Sequence, residues 1–227
     1  MNAFSLNQLR HRLIVSCQPT QGGPMDNVQA VLGFAGAALQ GGAAGLRIEG
    51  ADHVRAVCAC HDVPVIGLIK RDLSHSPVRI TPYLEDVKAL SSAGAHIIAV
   101  DGTQRDRPAE VAELIACIHA HGCLAMADCA CFEEARLAVN WGADLVGSTM
   151  SGYTGGEVPH QPDLSLVKAM RQLSAFVVAE GRIHSPSQLA QAVLAGADAV
   201  VVGTAITRPD VVTSWFARAM DDVCETS

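Results

Sequence analysis

The chain alternates short, almost unbroken apolar runs with longer stretches whose polar residues recur at helical spacing. The runs are Leu13–Cys17, Gly45–Ile48, Val65–Ile69, Ile97–Val100, Leu124–Ala127, Leu145–Gly147, Phe176–Ala179 and Ala199–Val202. Each is too short for a helix, and continuous apolarity is the pattern of parallel strands covered on both faces. The stretches Glu85–Ala93, Pro108–His121, Cys131–Trp141 and Pro186–Ala195 predict amphipathic helices between them. Gly94, Gly122, Gly142 and Gly196 each stop such a stretch just ahead of the next run, where a helix takes its C′ glycine. Three of these junctions nearly repeat: Ala93-Gly94-Ala95-His96-Ile97, Trp141-Gly142-Ala143-Asp144-Leu145 and Ala195-Gly196-Ala197-Asp198-Ala199. Eight strand–helix units of about 28 residues each fill the chain, which predicts an α/β fold, a single-domain (β/α)₈ TIM barrel over residues 1–227. An open doubly wound sheet competes, but it explains the eighth strand and the glycine turns near the C-terminus less well.

Composition narrows the class. Apolar residues are 49%, charged residues 17% and aromatics 4%, with 20 glycines, which suits short buried strands and closely packed helices rather than disorder. A formal charge of −7 excludes a general nucleic-acid binder, although a local basic pocket for one phosphate remains compatible. The eight cysteines do not form a small-domain disulfide framework, so reduced, partly buried thiols and a cytoplasmic protein are expected. Cys58-x-Cys60 and Cys129-x-Cys131 have the wrong spacing for a zinc knuckle, and no metal site is expected. Val28–Leu46 is low in charge, but Gln29, Gln40 and Gly41-Gly42 interrupt it, so no membrane span is expected there.

Candidate chemistry lies where the strands end, because a barrel carries its active site on the C-terminal face. Gln18, Lys70, Asp101, Asp128, Ser148, Thr149 and Glu180 follow apolar runs, and Arg47 lies inside one. The glycine-bearing turns at Glu180-Gly181-Arg182 and Gly203-Thr204 would form a phosphate cup after strands 7 and 8. Strands 3 and 7 are opposite in an eight-stranded barrel, so Lys70 and Glu180 would face each other across the mouth. Such a pair suits removal of a proton from one face of a carbon and its return on the other. Arg47, with Arg71 as a second candidate, would lower the lysine pKa. Gln18, Lys70, Asp128 and Glu180, all after odd-numbered strands, would form one polar layer over the core. Ser151–Asp163, with Gly152, Gly155 and Gly156, reads as a mobile loop over the mouth, and His75 and His184 as rim residues.

Several motifs then occur in order: Ser16-Cys17-Gln18, Gly67-Leu-Ile-Lys70-Arg71-Asp72, Ile80-Thr81-Pro82, Ala127-Asp128, Ser151-Gly152-Tyr153-Thr154, Ala179-Glu180-Gly181-Arg182-Ile183 and Val202-Gly203-Thr204-Ala205-Ile206-Thr207-Arg208-Pro209. Together they resemble the N-acylglucosamine-6-phosphate 2-epimerase (N-acetylmannosamine-6-phosphate 2-epimerase) family over nearly the whole chain. The resemblance implies a cofactor-independent isomerase that interconverts N-acetylmannosamine 6-phosphate and N-acetylglucosamine 6-phosphate in sialic acid breakdown. It makes Lys70 and Glu180 the acid/base pair at sugar C2. Gln18, Arg47, Asp128 and Arg208 would hold the sugar and its phosphate, with Gly181, Arg182, Gly203 and Thr204 supplying the cup. The first third departs most from the family pattern. A homodimer with two-fold symmetry is the expected assembly. The residues alone leave open an aldose–ketose isomerase, a Schiff-base aldolase using Lys70, and a non-catalytic phosphosugar-binding regulator.

Overall fold

A computed structural model describes residues 4–225; residues 1–3 and 226–227 of the expected domain lie outside the described residues. Eight strands, β1 (Leu13–Cys17), β2 (Gly45–Glu49), β3 (Val65–Leu68), β4 (Ile97–Asp101), β5 (Leu124–Asp128), β6 (Leu145–Gly147), β7 (Phe176–Glu180) and β8 (Ala199–Val202), pair in parallel, each with the next. β8 pairs back to β1, so the sheet closes into a barrel and β3 stands opposite β7. Helices α1 (Val28–Gln40), α2 (Ala51–Cys60), α3 (Leu84–Ser92), α4 (Val111–Ala120), α5 (Phe132–Asn140), α6 (Leu164–Met170) and α7 (Pro186–Leu194) follow the first seven strands. The one-turn α8 (Thr204–Thr207) and the long α9 (Pro209–Glu225) follow β8.

The strands lack an alternating pattern because both their faces are dry. One set of side chains, among them Val15, Ile48, Ile98, Ala127, Val177 and Val200, packs outward against the helices. The other, among them Ile14, Ile66, Leu68, Met126, Leu145 and Val178, fills the barrel interior. Local signals fix the helix ends. Ser185 and Gln188 form a capping box on α7 with Pro186 at its first turn, and Asn27 Oδ1 accepts from Ala30 N to start α1. Gly94, Gly122, Gly142 and Gly196 all adopt positive φ, the left-handed conformation of a C′ residue. The low-charge segment from Val28 is α1 followed by the turn into β2, and no helix among the described residues is long and apolar enough to cross a membrane.

β2 breaks the filling rule. Its inward positions are Gly45, Arg47 and Glu49, none of them an apolar side chain. Leu9, from the turn ahead of β1, plugs the gap beneath them; a Cβ on Gly45 would lie 2.7 Å from Leu9 Cδ2. Arg47 occupies the space above.

Candidate active site

Strand parity aims the polar residues. Two steps beyond each inward apolar residue lies the next inward position, which gives Asp128 after Met126, Glu180 after Val178, Lys70 after Leu68 and Thr149 after Gly147. These groups gather at the C-terminal mouth of the barrel. There a cavity of about 230 Å³ is lined by Ser16, Gln18, Lys70, Thr149, Tyr153 and Glu180. Gly181, Arg182, Ile183, His184, Gly203, Thr204 and Arg208 also line it. Lys70 and Glu180, from opposite strands, therefore share one cavity.

Arg47 is 1% exposed and lies beneath it. Its Nη1 and Nη2 donate to Asp128 Oδ1 and Oδ2 at 3.1 and 2.6 Å, and Nη1 also lies 2.8 Å from Glu180 Oε2. Thr149 Oγ1 stands between the two carboxylates, 2.6 Å from Asp128 Oδ1 and 3.3 Å from Glu180 Oε2. A Cβ on Gly147 would come within 2.7 Å of Met126 Cε, 3.1 Å of Thr149 Oγ1 and 3.3 Å of Asp128 Oδ1, so a side chain there would crowd this network. Arg47 and Asp128 thus form the floor under the cavity rather than its lining. The network draws on even as well as odd strands: Arg47 and Thr149 interleave with Asp128 and Glu180.

The surroundings shift both opposed groups from their ordinary pKa ranges. Burial, opposed by Arg47, pushes the Glu180 carboxyl up to about 7; Asp128 adds to the rise, while Lys70 works against it. Burial also lowers the Lys70 pKa, with Arg47 and Arg79 acting in the same direction and Glu49 and Glu180 against it. A neutral lysine and a protonated glutamic acid are thereby brought closer in free energy to their charged forms. The second cation near Lys70 is Arg79, not Arg71. Arg71 instead donates from Nε to Asp86 and lies over the Tyr83 ring, 5.7 Å from its centroid.

The wall after β7 and β8 has the geometry of an anion cradle. Gly181 has φ +107°, a conformation that side chains rarely adopt. Gly203 is needed for a different reason: a Cβ there would lie 3.2 Å from Ser16 Cβ. Thr204 opens α8, whose first N–H groups have no partner within the helix. Arg208 is oriented by Asp210, with Nε to Oδ1 at 3.1 Å and Nη2 to Oδ2 at 2.9 Å; Thr20 Oγ1 donates to the same Oδ2 at 2.8 Å. The Arg182 side chain serves elsewhere. Its Nε donates to Gln161 O at 2.8 Å, Nη1 donates to Ser151 O, and the guanidinium lies 5.4 Å from the Tyr153 ring centroid. It pins the stems of the loop after β6, where Ser151 Oγ also donates to Asp163 Oδ2 at 2.7 Å. His75 is exposed, whereas His184 lines the cavity with its ring 4.7 Å from that of Trp215.

Sequence reading did not assign Ser16, Tyr153, Ile183 or Thr207 to the lining. Ser16 was open to parity, being two residues beyond the inward Ile14, but Tyr153 reaches the cavity only through the loop after β6. Cys17 lies near the site, but burial pushes its thiol up to about 12, which leaves it a packing residue.

Comparison with known proteins places this geometry. Residues 31–222 match the family model described as "Putative N-acetylmannosamine-6-phosphate epimerase". The chain is 51% identical over 215 residues to a Haemophilus influenzae protein named "Putative N-acetylmannosamine-6-phosphate 2-epimerase", covering 95% of this chain and 94% of that protein. It is 56% identical over 223 residues to the "Bifunctional enzyme NanE/NanK" of Brucella melitensis biotype 1, covering 98% of this chain but only 43% of the relative. The chain therefore spans less than half of that longer relative. The solved N-acetylmannosamine-6-phosphate 2-epimerase of Clostridium perfringens superposes with a TM-score of 0.93 at 36% identity, over 96% of this chain and 97% of that one.

Proposed function

The chain belongs to the N-acetylmannosamine-6-phosphate epimerase family, and we propose on that premise that it interconverts N-acetylmannosamine 6-phosphate and N-acetylglucosamine 6-phosphate in amino sugar and sialic acid breakdown. The observation that carries this reading is the opposed pair: Lys70 and Glu180 share one cavity whose far wall is the glycine cradle. A sugar bound with its phosphate at Gly181, Gly203, Thr204 and Arg208 presents C2 of its open-chain form between the two groups. The Arg182 backbone belongs to the same cradle.

In the open-chain form of the sugar the C2 hydrogen is acidic, because the electron pair left behind delocalises into the C1 aldehyde as an enediolate-like species. Lys70, whose pKa burial and Arg47 lower, removes that proton in one direction. Glu180 supplies a proton to the opposite face and becomes a carboxylate on Arg47 Nη1. The reverse reaction exchanges the roles. Gln18 reaches the sugar from the lining, while Arg47 and Asp128 act from the floor. No metal or cofactor enters the scheme, so activity is expected to survive exhaustive chelation. The whole barrel acts as one domain.

All eight cysteines are free thiols, which supports a reducing compartment such as the cytoplasm. Phe216 and Met220, four residues apart on α9 and 74% and 67% exposed, support a homodimer as the working assembly.

The test is proton NMR of N-acetylmannosamine 6-phosphate with the protein in D₂O. The expected result is the gluco epimer carrying deuterium at C2. Folded protein that binds the sugar phosphate without converting it contradicts the reading and favours a phosphosugar-binding regulator. An imine trapped by borohydride at Lys70 would favour an aldolase.

A further inference from the structure

A hydroxyl has one proton to donate, and Thr149 stands between two carboxylates that could each accept it. The 2.6 Å contact to Asp128 Oδ1 has the length of a charge-assisted O–H···O⁻ bond, whereas 3.3 Å to Glu180 Oε2 lies at the edge of bonding. The proton is therefore committed to Asp128, and Thr149 turns a lone pair towards Glu180. An ionised Glu180 would be repelled by that lone pair; a protonated one bonds to it. Arg47 Nη1 makes an ion-pair contact with the same Glu180 Oε2 at 2.8 Å. The result is one ordered chain, Glu180 O–H to Thr149 Oγ1 and Thr149 O–H to Asp128 Oδ1, with Arg47 Nη1 against Glu180 Oε2.

We propose that Thr149 is a positioning residue that holds Glu180 in its protonated, hydrogen-donating form. The inference deepens the epimerase reading and takes its catalytic meaning from it. The charged groups facing Glu180 are Arg47 from β2, Asp128 from β5 and Lys70 beyond β3. Tyr153, Arg182, His184 and Arg208 complete the charged or titratable lining of the cavity. Burial raises the Glu180 carboxyl and Asp128 adds to the rise, while Arg47, Lys70 and a Thr149 hydroxyl aimed at Glu180 act against it. A hydroxyl donating to Glu180 would pull it down; a hydroxyl spent on Asp128 acts in the opposite sense. The direction of one measured shift thus separates the two arrangements.

The test needs no substrate. Glu180 is titrated in the resting protein by infrared difference spectroscopy, with Glu180→Gln identifying its carboxyl band. Thr149→Val should lower the midpoint by about one pH unit, the size of one neutral hydrogen bond, and Thr149→Ser should keep the wild-type midpoint. Thr149→Ala removes the same hydroxyl and serves if the valine variant does not fold. A midpoint that stays or rises without the hydroxyl, or a serine variant that behaves like valine, overturns the proposal. The matching limb of the pH–rate profile should move in the same direction. A midpoint that shifts in Thr149→Val while the wild-type protein turns over no phosphosugar sustains the Thr149 chain and sinks the epimerase reading; wild-type turnover with an unmoved midpoint in the variant does the reverse.

Discussion

Asp101 and Asp128 are neighbours in the sheet, paired in register at the ends of β4 and β5, and both are fully buried. Each ends an apolar strand and each meets an arginine. Asp101 takes all its side-chain partners from the next four residues: Thr103 N at 3.0 Å, Arg105 Nη2 at 2.7 Å, and the Thr103 hydroxyl. Arg107 seals the same loop by donating to the Asp101 and Thr103 carbonyls. Asp128 takes its partners from far along the chain, Arg47 from β2 and Thr149 after β6. The first carboxylate locks a loop, while the second joins three strands under a cavity. Identical local patterns therefore serve unlike purposes, and the sequence distance of the partners distinguishes them.

The largest expected effects fall on the cavity side of this comparison. Lys70→Ala and Glu180→Gln should each lower kcat by about 10²–10⁴-fold, the contribution of a positioned acid or base. Asp101→Asn should leave kcat within a few-fold of wild type by the same reasoning. Steady-state kinetics with phosphosugar binding measured separately checks both, and comparable losses at Asp101 would erase the distinction.

The comparison also explains what was legible in the chain. β1, β6 and β8 were readable to the residue because a dry strand is simply apolar and ends where polarity begins. The helix stops at Gly94, Gly142 and Gly196 were readable because each needs positive φ. α1 carries no charged residue, so its helical face has no polar stripe to give it away. Lys70, Glu180 and the glycine turns could be placed at the mouth from strand order alone. The floor could not: Arg47 and Asp128 lie 81 positions apart, and their contact exists only once the barrel closes. Arg182 reads as an anion ligand by its position beside Gly181, but its guanidinium is taken by the carbonyls of Ser151 and Gln161.

Stability should separate the two regions next. Arg47→Ala leaves Asp128 and Glu180 facing each other without their cation, and breaking a buried pair this way costs about 3–5 kcal/mol. Arg105 is more exposed, and its partner Asp101 keeps the two Thr103 donors, so Arg105→Ala should cost roughly 1–3 kcal/mol, as for a lost hydrogen bond to a charged group. Denaturant titration checks the order, and equal costs would contradict it.

The pH dependence follows from Glu180. Its folded carboxyl is raised from 4.5 to about 7, so the native state holds a proton that the unfolded chain has released in that window. The stability it contributes is full below 4.5 and is lost as pH rises through 7, on the order of 3 kcal/mol. Wild type minus Glu180→Gln should show that downward slope, and a flat difference would contradict the raised carboxyl.

The smallest effect is expected at the rim of the cradle. Asp210→Asn loosens Arg208 without touching the opposed pair, so KM should rise about fivefold, worth roughly 1 kcal/mol, with kcat unchanged. Asp210→Glu should recover part of the loss. A fall in kcat instead would mean that Arg208 acts on the reacting carbon and not only on the bound phosphate.

The central claim is that Lys70 and Glu180 act on opposite faces of one carbon. Hydrogen exchange at C2, followed by NMR in D₂O for each epimer with Lys70→Ala and Glu180→Gln, tests it most directly. Each variant should wash hydrogen out only from the epimer that faces its remaining group, and neither should interconvert the two. A variant that still interconverts the epimers at the wild-type rate would remove its residue from the chemistry and contradict the account.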